Sequence, residues 1–484
     1  MRGESLRLAA AVCCLALALT GSLAYATAGT AAGQEDAPNP CVGTIERPAD
    51  GTTLVSIQGV KFVPGEGFTK PPGMMVAFGP EGGFQYAFNG TARGRWWVYD
   101  VDPLRNGNIL LASTEPGVSV AQEIDPETGE NVWLKRFDGH NGRQPGFHPQ
   151  NVTDAHDVDL INGDELLIAD KGTGHHRLLI YNMTREEVTW EWRFDEHTDE
   201  FPRSGGGPYD SDWTHVNDVD RIGPGKYMAS VRNFDRIVVV DRETKEIELS
   251  LGADDEYRFM NEQHNPQYLE TERGEPTILI ADSLNDRVVE WTLRDGEWVR
   301  TWELVGGGLD EPRDADRLPN GNTLVVDRKG HRTMEVAPNG TVVWEVYTPW
   351  QPYDAERARL GEEPGGPTSV DMDTSRSVEL TNSAGYDRER IEECGQALRE
   401  FAPSRSGGVL GFLGGSGGDG FDYQGPNATD DGFDGTDDGF DGTDASPDDD
   451  PSGGPSGGPN PLLLLGLVAL VVVVVGSVLL VRRG

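Results

Sequence analysis

His156, His215, Arg232 and His264 are the residues of this chain whose types and spacing could do chemistry. His156 and His264 open copies of a repeated segment. The copies start Tyr99-Asp-Val-Asp, His156-Asp-Val-Asp, Asn217-Asp-Val-Asp, His264-Asn-Pro-Gln and Arg313-Asp-Ala-Asp, 47 to 61 residues apart. His215 lies two residues before Asn217, and strand side chains alternate, so the two share a side. Arg232 stands where other repeats have Gly172 and Leu284, a single cation that asks for an anionic partner. Imidazoles with a guanidinium and no carboxylate base nearby suit a tetrahedral oxyanion. One histidine can act as nucleophile and another as general acid or base, while the cations hold charge on the transferring group. Three histidines would also suit zinc or copper, but Arg232 beside a divalent cation is electrostatically awkward. His140, His148, His175, His176, His197 and His331 fall in loops or turns and read as surface residues.

These residues are far apart in sequence, so a repeating scaffold must gather them. Repeats of this length built from short strands imply a β-propeller, in which each first residue falls at one height on a central channel. Gly, Asn and Asp supply the turns, and Val, Ile and Trp supply half-buried strands. The expected fold is all-β, a six-bladed β-propeller over residues 46–350 whose divergent first blade begins near Thr52. Short helices follow in 351–405, the clearer one from about Tyr386 to Phe401. Arg177, Arg236, Arg287 and Arg332 recur at one position and read as structural, for instance by pairing with a carboxylate of a neighbouring blade.

Composition assigns the rest of the chain. Of 484 residues 81 are acidic and 41 basic, a net charge of -40. Such a surface repels nucleic acid, and it resembles the acid-rich proteins of extreme halophiles. Residues 1–26 have the pattern of a signal peptide or an N-terminal anchor, with 27–45 as an extension. Residues 406–460 form an acidic Gly/Asp/Ser/Pro stretch expected to be a disordered stalk. Residues 461–484 contain a long apolar run, Leu462 to Val481, ahead of Arg482 and Arg483. That length suits one transmembrane helix, with the propeller outside the cell. Cys41 and Cys394 bracket the propeller; a bridge between them is chemically permitted outside the cell, and two free thiols are the alternative. Sequons at Asn89, Asn151, Asn182, Asn339 and Asn427 are compatible with glycosylation.

The segments Asp212-Trp-Thr-His215-Val-Asn-Asp-Val, Ser230-Val-Arg232, Glu262-Gln-His264 and Leu318-Pro-Asn-Gly-Asn-Thr-Leu together resemble the arylsulfate sulfotransferase family. The similarity covers about residues 50–350, and the spacing of His215 from Arg232 is its most specific part. The resemblance implies a six-bladed propeller that moves a sulfuryl group from a phenolic sulfate donor to a phenolic acceptor. It implies a covalent sulfohistidine and no nucleotide, cofactor or metal. Residue by residue, His264 would be the nucleophile, His215 the acid for the departing phenolate, and His156 and Arg232 the holders of the sulfuryl oxygens. The chain departs from the family in lacking a sizeable N-terminal β-domain and in adding a stalk and anchor, which puts assembly and acceptor preference in doubt. Its Ile-Ala-Asp-Ser-Leu-Asn-Asp-Arg stretch also resembles NHL-type propellers, often binding platforms. The competing functions are a propeller that binds sulfated or other anionic ligands without turnover, and a metal-dependent hydrolase.

Overall fold

A computed structural model describes residues 39–402, apart from residues 60, 64–66, 70, 91–94, 96, 116–117, 138–151 and 173–175. Six antiparallel sheets, each led by an inner strand, form the ring. Blades two to five are built in chain order, from Trp97–Pro103, Ala155–Asn162, Val216–Gly223 and His264–Glu270 outward. Inner strands of neighbouring blades pack on one another around the channel. The hydrophobic core lies between the blades. Trp192, Trp302 and Trp344 are buried on outer strands, and their indole N–H groups donate to the carbonyls of Lys245, Pro338 and Pro80 in the next blade. Each tryptophan thus joins apolar burial to one satisfied polar tip.

The ring closes by a strand that the sequence reading placed in a helical extension. Pro352–Arg357 is the inner strand of blade one and pairs with Thr53–Ile57. It begins Tyr353-Asp-Ala-Glu-Arg, a sixth copy of the repeated segment. The propeller also gains Val42–Ile45, a fifth strand on blade six antiparallel to Val342–Tyr347. Ser377–Glu379 adds a parallel fifth strand to blade five. The boundaries 46–350 are therefore too narrow, and 351–405 is not simply helical. Its one helix, Arg388–Phe401, starts where Asp387 accepts the N–H of Arg390, a conventional N-cap. Cys41 and Cys394 form a disulfide that ties this helix to the chain entering blade six.

Three of the four recurring arginines pair within their own blade rather than with a neighbour. Arg177, Arg287 and Arg332 bond Asp170, Asp282 and Asp327 of the adjacent strand at 2.6 to 3.0 Å. Arg236 instead reaches Ser250 and Glu200. Asn182 is buried, with its side-chain oxygen accepting from the Arg185 N–H, so that sequon is closed to glycosylation in the folded chain. The signal segment, stalk and apolar run, with Asn151 and Asn427, lie outside the described residues. Among the described residues no helix is long and apolar enough to cross a membrane.

Candidate functional site

Six residues lead the six inner strands in register: Tyr99, His156, Asn217, His264, Arg313 and Tyr353. All are buried, and most touch. The His156 ring lies 4.4 Å from Tyr99 and 5.8 Å from Tyr353, centroid to centroid. Tyr353 in turn meets His264 at 5.6 Å, and the Arg313 guanidinium at 5.8 Å. His215 joins from outside the ring of leads, 5.3 Å from His156. Arg232 reaches the same group, with Nη1 3.4 Å from His215 Nδ1. The four expected residues are therefore brought together, and Arg313, Tyr99 and Tyr353 complete the buried cluster.

Local backbone geometry explains how His215 arrives. It has φ +43°, and the residues two places ahead of the leads in blades five and six, Glu262 and Glu311, have +47° and +57°. A non-glycine residue in this left-handed region is strained, and the surroundings must hold it there. Asp235 and Asp286 do so for the glutamates by accepting the N–H groups of Glu262 and Glu311 at 2.9 and 3.0 Å. Blade four uses the same kink to present an imidazole where its neighbours present carboxylates.

Those carboxylates correct one expectation, since the site is not free of acidic partners. Asp212 lies 2.8 Å from His215 Nδ1. Burial opposes ionisation of Asp212, but His215, then Lys171 and Arg232, hold it well below the usual carboxylate range. The anionic partner that Arg232 asked for is Glu262 within the chain, while Nη1 donates to Asn233 Oδ1 at 3.0 Å. Arg313 pairs with Glu311 at 2.9 Å. Burial raises the Glu311 carboxyl, but Arg328, Arg313 and Lys329 bring it down to about 2.

His264 is held in one tautomer. Its Nδ1 lies 3.0 Å from both the Glu262 carbonyl and the Ser283 hydroxyl. Ser283 gives its own proton to the Pro312 carbonyl at 2.7 Å, so its oxygen can only accept from the imidazole. Nδ1 therefore carries the hydrogen, and the lone pair sits on Nε2. Burial, then Arg313, Arg232, His156 and His215, push the His264 pKa well below the ordinary histidine value, so the ring stays neutral. Arg313 Nη1 lies against both ring nitrogens and donates to Nε2.

Of the other histidines, His176 is not a surface residue. It is buried, with Nδ1 2.8 Å from Thr214 Oγ1, and burial lowers its pKa to about 4. It packs behind Trp213, supporting the segment that carries His215. His140, His148 and His175 lie outside the described residues.

No known family model matches the chain, and no curated protein matches it. Solved structures do. A protein of unknown function from Bacteroides caccae is 12% identical over 68% of this chain and 98% of its own, with a TM-score of 0.41. A periplasmic gluconolactonase of Pseudomonas aeruginosa is 14% identical over 66% and 88%, at 0.38. A virginiamycin B lyase of Staphylococcus aureus is 9% identical over 53% and 71%, at 0.33. The described residues form a six-bladed β-propeller, mostly strands, with one α-helix, Arg388–Phe401, at their C-terminal end.

Proposed function

We propose that the pocket transfers a sulfuryl group from an aryl sulfate to a phenolic acceptor through a sulfohistidine at His264. The supporting observation is the packing of a neutral, single-tautomer imidazole among two further imidazoles and two guanidinium groups. In the first half-reaction His264 Nε2 attacks sulfur, the N–S bond forms and the S–O bond to the aryl group breaks. The departing phenolate takes a proton from His215. In the second half the acceptor phenol returns its proton to His215, its oxygen attacks sulfur, and the N–S bond breaks. His156 and Arg232 hold the sulfuryl oxygens, joined by Arg313, whose guanidinium must leave Nε2 for a sulfuryl oxygen when the donor binds. Hydrogen bonds aimed at developing charge in a water-poor site are typically the largest catalytic contribution.

The test is incubation with 4-nitrophenyl sulfate and a phenol. The expected result is one equivalent of nitrophenol and sulfate mass on the His264 peptide when the acceptor is withheld, and continued nitrophenol release only when it is present. Release by a His264→Ala variant at the wild-type rate would end the proposal. The contact of Arg313 with Nε2 favours a second reading, in which the pocket holds a sulfated or other anionic ligand without turnover. Ligand binding with neither release nor a modified peptide would establish it. Two guanidinium groups against the imidazoles disfavour a metal-dependent hydrolase at this place. The same proposal puts the propeller outside the cell on its C-terminal apolar segment, and the Cys41–Cys394 bridge fits an oxidising compartment.

A further inference from the structure

Below the leads the repeated segment sends two acidic side chains into the channel in five of its six copies, the His264 copy having Asn265 and Gln267 instead. In most copies their purpose is visible. An inner strand leaves N–H groups at its free edge, and the preceding blade caps them. Asp157 accepts from Val219 at 2.8 Å and Asp159 from Arg221 at 3.2 Å. Asp314 accepts from Ala355 at 3.2 Å and Asp354 from Val101 at 2.8 Å.

The scheme fails where blade four meets blade five. The residue of blade five aligned with Val219 is Pro266, which has no N–H to give. The one aligned with Arg221 is Tyr268, whose N–H serves Glu363. Asp218 Oδ2 and Asp220 Oδ2 consequently accept no hydrogen bond, although each residue is only 6% exposed. Both oxygens of Asp102, 3% exposed, are in the same position. Asp100 lies beside Asp102 and could bridge to it only if one of them carried a proton.

These oxygens line a cavity of about 40 Å³ that also receives Asp316, Glu356 and Glu363 and has no lysine or arginine in its wall. Asp102, Asp159 and Glu362 each offer an oxygen within 4.8 Å of the others. A carboxylate without hydrogen bonds in a buried place is costly unless a counter-charge meets it. Glu362 and Glu363 are only partly buried, so the cavity can be reached from their end.

We propose that this channel cavity is a binding site for a hard divalent cation of the calcium class, held by Asp102, Asp159 and Glu362, with Asp218 and Asp220 supplying further oxygens. Calcium takes six to eight oxygen ligands in flexible geometry, which a wall of carboxylates from several blades can provide. Magnesium demands a tighter octahedron and keeps its water, and monovalent ions neutralise too little charge. The site is independent of sulfuryl transfer and stands or falls separately from it.

The test uses the full chain, stripped with a chelator and returned to calcium, magnesium or potassium in buffered sodium chloride. Expected results are about one calcium retained per chain on equilibrium dialysis and a melting temperature that rises with calcium and falls with chelator. Magnesium and potassium should have at most a tenth of calcium's apparent affinity. Asp102→Asn with Asp220→Asn should weaken calcium binding at least tenfold. If that pair does not fold, Glu362→Gln, on a partly exposed loop, should weaken it by a similar factor. Pro266→Ala, which restores an N–H opposite Asp218, should stabilise the calcium-free protein and shrink its calcium response. No retained calcium with a melting temperature indifferent to chelator, equal response to all three cations, or equal binding by the carboxylate variants would overturn the proposal.

Discussion

Asp212 Oδ1 lies 2.8 Å from His215 Nδ1, so the carboxylate fixes which ring nitrogen carries the inward proton and which is left to act. Asp212 therefore positions the proposed acid without touching a substrate. Asp212→Asn should lower turnover 10- to 100-fold for donors whose phenols are weak acids, because those leaving groups need the proton. It should alter turnover little for 4-nitrophenyl sulfate. Steady-state kinetics across a donor series measures this, and a uniform loss would reduce Asp212 to a structural role.

Arg313 is the residue that the repeat disguised. Arg313→Met should raise KM for an aryl sulfate and lower kcat/KM by about 10²–10³, the scale of losing one oxyanion donor. Arg313→Lys should recover only part, since a point charge does not replace a planar fork. Unchanged kinetics in Arg313→Met would confine the guanidinium to pairing with Glu311.

The pH profile tests the tautomer argument. His264 is kept neutral well below the ordinary histidine pKa. With 4-nitrophenyl sulfate, kcat/KM should therefore show no acid limb near pH 6.5. A limb there would identify an ordinary, solvent-exposed histidine as the nucleophile.

His176 makes the corresponding stability prediction. Its folded pKa of about 4 lies below the unfolded value near 6.5, so between these the unfolded chain binds the proton and the folded chain does not. This residue's contribution to stability is complete above pH 6.5 and is lost as pH falls toward 4. His176→Gln should flatten the pH dependence of the denaturation midpoint in that window. An unchanged slope would mean that His176 is protonated in the fold.

The blade architecture was legible because its signals are local: a turn, an alternating strand, an aspartate pair. The sixth copy was harder to see. Tyr353-Asp-Ala-Glu replaces the second aspartate with glutamate and lacks the Asn-Gly turn that follows three of the other copies. Its partner strand, Thr53–Ile57, is near the opposite end of the chain. Arg313 was passed over for a related reason: among leads it looked ordinary, and only the closed ring sets it against His264. Glu262 and Glu311 could have been found by aligning them with His215. Their left-handed backbone could not, because glutamate carries no preference for it. The aspartate pairs were read as part of the repeat, and the break at Pro266 acquires meaning only once Val219 is seen donating to Asp157.

The Cys41–Cys394 bridge spans 353 residues and encloses nearly the whole ring. Cys41→Ser should cost about 2–5 kcal/mol, the usual effect of removing such a crosslink. Chemical denaturation with and without reductant measures it, and coincident curves would show that the ring holds without it.

Strand Pro352–Arg357 completes both the first blade and the wall of the pocket, because Tyr353 stands between His156 and His264. A nascent chain therefore has all its catalytic candidates synthesised long before it has anywhere to put them. A chain cut short just before Pro352 would carry every histidine and an open ring, so the cluster is completed in one late step rather than blade by blade.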